Sequence, residues 1–322
     1  MQATSKTALC ALGAERRWLH SLRLWAELPS SPGLLALAGA GESKRHLYNM
    51  TEWDGGESLA TAAARGVGGG MGSFRLKRKA VAFYTAQIIG ALDVLHGQRV
   101  VYRSLTPASL LLDCNGNIQL GSFGLAKQLG VGVNAKTYTL CGGALGYLAP
   151  EQLQHIGHGT AVDHWAVGVL LCELLTGAHP FSPALCSFGD GGDAVGSNNA
   201  AAAQEVEDQV NDLFSGGDVE AGMQHVLLGQ WSSTAMAARL AATDADAADL
   251  IGSLLTVDPA DRPCTAGRTA ALVSHPWFAA RLGDNLGAVI ERTATAPLAV
   301  RGAAARPPKP GSGVFGDFWR VF

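Results

Sequence analysis

The chain is short of charge. Of its 322 residues only 16% are Asp, Glu, Lys or Arg, against an ordinary ~25%, and the formal net charge is −3 with a sequence pI near 6.3. That balance gives no electrostatic reason for nucleic acid or an anionic membrane surface as the main partner. No CxxC pair occurs among the six cysteines (Cys10, Cys114, Cys141, Cys172, Cys186, Cys264), so reduced thiols in a cytoplasmic protein are expected, rather than a disulfide framework or a zinc site. No apolar run reaches the ~18–20 residues of a membrane span, and Trp165–Leu175 reads as a buried core helix. The start carries charges at Glu15, Arg16 and Arg17 and does not read as a signal peptide.

Glycine is plentiful, at 41 residues, without a three-residue period, which excludes collagen. Apolar residues make up 48%, enough for a folded core. Residues 14–28 show helical spacing through Trp18, Leu19, Leu22 and Trp25, stopped by Pro29. Leu34–Leu37 and Leu47–Trp53 read as a hairpin, with GAGESKRH as its tip. A short helix and a loose loop fill 54–73, and 76–96 reads as a long amphipathic helix. Strand-like VVY (100–102), LLL (110–112) and IQL (118–120) follow, the last two joined by a tight Asn115-Gly116 turn. Helix resumes from 161 and again at 222–229, 245–256 and 266–273. Residues 182–222 are of low complexity and read as a surface insert.

The stretch Val100–Lys127, VVYRSLTPASLLLDCNGNIQLGSFGLAK, carries the chemistry. It resembles the catalytic and metal loops of protein kinases, in the Tyr-Arg-Asp form of the AGC serine/threonine group, most closely the cyclic-nucleotide-dependent members. Other landmarks keep the family's order. They are Glu15-Arg-Arg-Trp-Leu19 (the αC glutamate), Glu52-Trp53-Asp54 (the adenine hinge), Lys136–Gly142 (the activation loop), Ala149-Pro150-Glu151, Asp163–Gly168 and Asp258–Arg262. The resemblance covers about residues 15–280. It implies an α+β bilobal fold, with a partial small lobe at 1–54, a large helical lobe at 55–280 and an AGC-like tail at 281–322. Glu52, Trp53, Asp54 and Leu111 would form the adenine pocket. Glu15, Leu19, Leu37, Tyr102, Phe123, Gly124, Glu151, Asp163 and Arg262 would be structural, with Asp163 bonding amides near Tyr102-Arg103 and Glu151 paired to Arg262. Arg103 and Lys127 would hold a phosphate on Thr139. Phe315 and Phe318 would be the tail's FxxF motif.

The departures fall where the chemistry should be. Ser104 stands for the aspartate that accepts the substrate's proton, and a hydroxyl is a far weaker base than a carboxylate. Ser109 and Ser122 replace the asparagine and aspartate that hold Mg²⁺, an ion that wants anionic or strongly dipolar oxygens. Thr106 replaces a phosphate-contacting lysine, and Ala108 a glutamate that reads substrate arginine. No glycine-rich phosphate loop or strand lysine precedes Glu15, and only two small-lobe strands are expected.

The leading expectation is therefore an inactive pseudokinase acting through an unidentified protein partner, regulatory or substrate, with ATP and Mg²⁺ implied by resemblance alone. A working serine/threonine kinase represented by an incomplete sequence, and a degenerate gene product without function, are the alternatives. Gly39–Lys44 and Gly66–Gly72 only superficially resemble phosphate loops, Asn49-Met-Thr51 is a sequon in a strand, and His155 with His158 reads as solvated loop.

Overall fold

The computed structural model describes residues 2–6, 15–52, 56–64, 75–132, 135–139, 144–181, 224–263 and 269–298. Strands β1 (Gln2–Ser5), β2 (Leu37–Glu42) and β3 (His46–Thr51) form an antiparallel sheet in the order β1-β3-β2. Helix α1 (Glu15–Glu27) packs beside it. The small lobe thus has three strands, where the sequence suggested two. Gln2–Ser5 is short and polar, so period-2 patterning could not reveal it; it gains its place by pairing with β3 from Gln2↔Asn49 to Ser5↔His46. Beyond it Lys6 pairs with Glu42 at 2.7 Å. The hairpin tip is also shorter than expected. Gly39–Glu42 are strand, and Ser43 closes the turn by accepting from His46 N–H and donating to His46 O.

The helical lobe is built around α3 (Arg78–Gly97) and α5 (Ala161–Thr176). The sequence suggested that α3 is amphipathic. In fact Ala80–Ile89 are buried on every side, because α5, α8 (Thr269–Val273), α9 (Pro276–Leu282), α10 (Leu286–Ile290) and a small hairpin surround it. It is the one described helix long and apolar enough to cross a membrane, and 72% of that apolar window is buried inside the lobe. Its Gln87 accepts from Ile118 N–H at 2.9 Å and donates to Asn117 Oδ1 at 2.8 Å, which fixes the hairpin of β5 (Leu110–Leu112) and β6 (Ile118–Leu120). Helix α5 is buried from Ala161 to Leu175 and ends at Gly177 with φ 82°, a left-handed cap that glycine adopts without strain.

Between the lobes, α2 (Leu59–Ala64) follows Gly56. A Cβ on Gly56 would stand 1.7 Å from Leu112 O, so only glycine lets this segment lie against β5. Two-residue strands β4 (Val100–Val101) and β7 (Lys127–Gln128) pair across the site. Helices α4 (Pro150–Leu153), α6 (Ala235–Thr243) and α7 (Ala245–Leu254) are accompanied by 3₁₀ turns at Leu145–Tyr147, Gln230–Ser233 and Gly283–Asn285; β7, α6 and α9 carried too little periodicity to be read from sequence. The insert at 182–222, the tail from 299 with Phe315 and Phe318, the loop 66–72, Trp53 and Asp54, and the Glu15 side chain lie outside the described residues.

Candidate active site

The loop between β4 and β5 and the turn after β6 come together at one clamp. Asp163, at the start of α5 and 1% exposed, accepts from Tyr102 N–H (2.9 Å) and Arg103 N–H (2.8 Å), and His96 Nε2 lies 2.8 Å from its Oδ2. Arg103 is thereby held at φ 60°, a left-handed conformation that a non-glycine residue keeps only when its surroundings impose it. Ser122 sits in the same region at φ 56°. It is followed by Phe123 in a 3₁₀ turn (Phe123–Leu125) that includes Gly124.

Phe123 joins the lobes. Its ring centroid lies 5.0 Å from Trp25 on α1 and 5.5 Å from Tyr102, while Tyr102 Oη donates to Gly121 O. Trp25 also donates from Nε1 to Leu35 O at 2.7 Å. The expected column of Leu19, Leu37, Tyr102 and Phe123 is thus divided. Tyr102 and Phe123 are buried, whereas Leu19 and Leu37 are half-buried. Trp25, noted in sequence only for its helical spacing, is the residue of α1 whose ring packs against Phe123, tilted by 41°.

Four hydroxyl residues, Ser104, Thr106, Ser109 and Ser122, line a cavity of about 100 Å³ with Tyr147 and Gln152. Their hydrogen bonds differ. Ser109 Oγ accepts from Thr106 N–H at 3.0 Å and donates to Thr106 O at 2.9 Å, while Thr106 Oγ1 accepts from Ser109 N–H at 3.2 Å. The two residues close on each other. Ser104 Oγ is buried with no partner. Of the adenine-pocket residues, Leu111 is half-buried in β5 beside Gly121, and Glu52 is exposed, its N–H donating to Ala36 O at 3.1 Å.

Below the site Arg262, 1% exposed, makes a two-pronged pair with Glu151 at 2.7 and 2.8 Å and stacks 5.1 Å from the Trp165 ring centroid. Tyr147 donates to the buried Glu173, whose carboxyl burial pushes up to about 7. His179 Nε2 lies 2.9 Å from Gly146 O, and burial lowers its pKa to about 4. In the activation segment, Arg103 Nη1 donates to the exposed Thr139 Oγ1 at 3.0 Å. Lys127 is half-buried in β7. His158 is no solvated loop residue. It is 4% exposed, and its Nε2 lies 3.4 Å from Arg103 Nη1. Its pairing with Thr137 is a long-range β-bridge that no local signal announces.

A helical lobe, a small sheet, a left-handed arginine clamped by an aspartate and a phenylalanine linking the two parts define a protein-kinase-like class. The protein kinase domain family matches residues 13–278, and the chain belongs to it. It is 42% identical over 168 residues to the human cAMP-dependent protein kinase catalytic subunit PRKX, covering 52% of this chain and 43% of that one. It is 39% identical over 150 residues to the cAMP-dependent protein kinase catalytic subunit of Dictyostelium discoideum, covering 47% and 21%. A third relative, the human putative serine/threonine-protein kinase PRKY, is 41% identical over 168 residues, covering 52% and 56%. These similarities fit the AGC group. The chain spans about half the length, or less, of these relatives.

Proposed function

We propose that this chain is a catalytically inactive member of the family, a pseudokinase that acts by binding another protein, regulatory or substrate, in the cytoplasm. Its division at about residue 55 into a partial small lobe and a large lobe is part of the proposal. One observation carries it: at the position where the family holds a metal, the neutral Ser109 hydroxyl is turned into the Thr106–Ser109 clasp, donating to Thr106 O and accepting from Thr106 N–H. The donor set does not fit Mg²⁺. Ser109 and Ser122 bring no charge, Ser109 has its hydroxyl engaged, and the nearby Asp163 carboxylate serves two backbone amides and His96. Ser104 cannot act as a general base, since an alcohol accepts a proton far more weakly than a carboxylate. Phosphoryl transfer relies on positioning and charge neutralisation, and neither is supplied by these side chains.

The retained scaffold supports a binding role. The Asp163 clamp, the Phe123 link and the Glu151–Arg262 pair are architectural, and none needs nucleotide. Arg103, with Lys127, would hold a phosphate on Thr139 as the regulatory element. A second reading, a working serine/threonine kinase represented by an incomplete sequence, draws on the left-handed backbone kept at both Arg103 and Ser122. The test is phosphate transfer from radiolabelled ATP to a panel of basic peptides and to the chain itself. No transfer above the rate of a Ser104→Ala, Ser122→Ala variant is expected; transfer that this variant abolishes would overturn the proposal.

A further inference from the structure

His158 stands inside the Thr139 cluster, and the binding role proposed above makes no use of it. Its N–H donates to Thr137 O and its carbonyl accepts from Thr137 N–H, both at 2.9 Å, so the residue is fixed on the activation segment. The same Arg103 Nη1 that lies 3.4 Å from His158 Nε2 donates to Thr139 Oγ1 at 3.0 Å. Thr137 Oγ1 lies 3.0 Å from Thr139 Oγ1. Because Arg103 brings only donors, Nε2 must offer its lone pair and the proton sits on Nδ1.

The charged groups facing this imidazole are Arg103 from the loop after β4, Glu151 from α4 and Asp163 from α5. Both carboxylates are committed, Glu151 to Arg262 and Asp163 to Tyr102 and Arg103 amides and His96. Burial and Arg103 therefore dominate, and they hold His158 neutral, with its pKa lowered to about 4. Thr139, by contrast, is exposed and open to an enzyme.

We propose that His158 is a proton-coupled ligand for a phosphate on Thr139, taking up a proton at Nε2 and donating it to a phosphate oxygen beside Arg103. The inference rests on the regulatory role proposed above for Thr139. The phosphoryl group comes from a nucleoside triphosphate by way of a separate kinase. The Thr139 hydroxyl loses its proton, an O–P bond forms, and the nucleoside diphosphate leaves. The product carries close to two negative charges near neutral pH. Set against Arg103, it reverses the local potential at His158 and turns an imidazole that accepts from Arg103 into a second cation that faces the phosphate. Phosphorylation then draws a proton from solvent, and the contact between His158 and the phosphate becomes favoured as pH falls.

The experiment uses the full chain with phosphothreonine installed at 139. The His158 ring is titrated by ¹H–¹⁵N NMR and the phosphate by ³¹P NMR, with the unphosphorylated chain as reference. The His158 midpoint is expected to rise from about 4 to above the ordinary 6.5 on phosphorylation. The phosphate midpoint should be lower in the wild-type chain than in His158→Gln, whose amide keeps an acceptor without titrating. If Arg103→Gln moves the phosphate titration while the His158 midpoint is the same with and without phosphate, the His158 role is overturned and the Thr139–Arg103 reading stands. If neither variant moves the phosphate titration, both fail together. The wild-type comparison needs no variant to fold.

Discussion

The Glu151–Arg262 pair sets the largest single stability effect we expect. All five guanidinium N–H groups of Arg262 are engaged: Nε with Thr256 O (2.8 Å), Nη1 with Glu151 Oε1 (2.7 Å) and Ala161 O (3.0 Å), and Nη2 with Glu151 Oε2 (2.8 Å) and Val257 O (3.1 Å). The arginine is 1% exposed and the glutamate 2%, so water cannot replace either partner. Glu151→Gln removes the negative charge, turns one acceptor into a donor against a donor, and leaves a buried cation uncompensated. Breaking such a pair from one side costs ~3–5 kcal/mol. Against a total stability of ~5–15 kcal/mol, that is a fifth or more of the margin. Arg262→Lys should cost as much, because an ammonium has three donors and cannot span the two carboxylate oxygens and three carbonyls. The double change Glu151→Leu, Arg262→Met should recover only part of the loss, since Thr256, Ala161 and Val257 carbonyls stay unpaired. Urea unfolding of the four proteins, followed by tryptophan fluorescence, reads these differences. A Glu151→Gln midpoint within ~1 kcal/mol of wild type would refute the account of the pair as a buried, undivided unit.

Acid should unfold the chain in a defined window. His158 and His179 have folded pKa values near 4 and His164 is also depressed, so unfolding binds three protons below the ordinary 6.5; Glu173, raised to about 7, is already protonated in the fold and binds one fewer until about 4.5. The net of two protons predicts a loss of about 2.7 kcal/mol per pH unit between 6.5 and 4.5, and a flat stability profile there in urea titrations would contradict it. Both ring nitrogens of the buried His164 lack a partner, so His164→Val should gain about 1 kcal/mol or more, read as a higher urea midpoint. Gly56→Ala should destabilise by about 3 kcal/mol, as its Cβ meets Leu112 O at 1.7 Å; a neutral outcome in thermal melting would mean that the segment does not lie on β5.

Much of the fold could be read from the chain where its signals are local. The spacing of Trp18, Leu19, Leu22 and Trp25 marks α1, and Asn115-Gly116 marks the turn between β5 and β6. The composition of the catalytic loop showed which side chains stand at the site, but not how they bond. That Ser109 closes on Thr106 while Ser104 is left without a partner depends on backbone geometry over a few residues. Strand β1 escaped notice because its apolar content is low and its stability comes from β3, some 40 residues away. His158 and His164 escaped for a related reason. Burial turns an ordinary loop or helix histidine into a constrained neutral group, and burial is a tertiary property.

The central claim is that hydroxyls at Ser104, Ser109 and Ser122 cannot build a metal-dependent phosphoryl-transfer site. Thermal melting of the chain with saturating ATP, with and without Mg²⁺, tests it most directly, since a ligand at 100 times its Kd stabilises by about 2.7 kcal/mol. The account predicts the same melting temperature with and without the metal. A Mg²⁺-dependent rise with ATP, lost when Ser122 is changed to Ala, would contradict it.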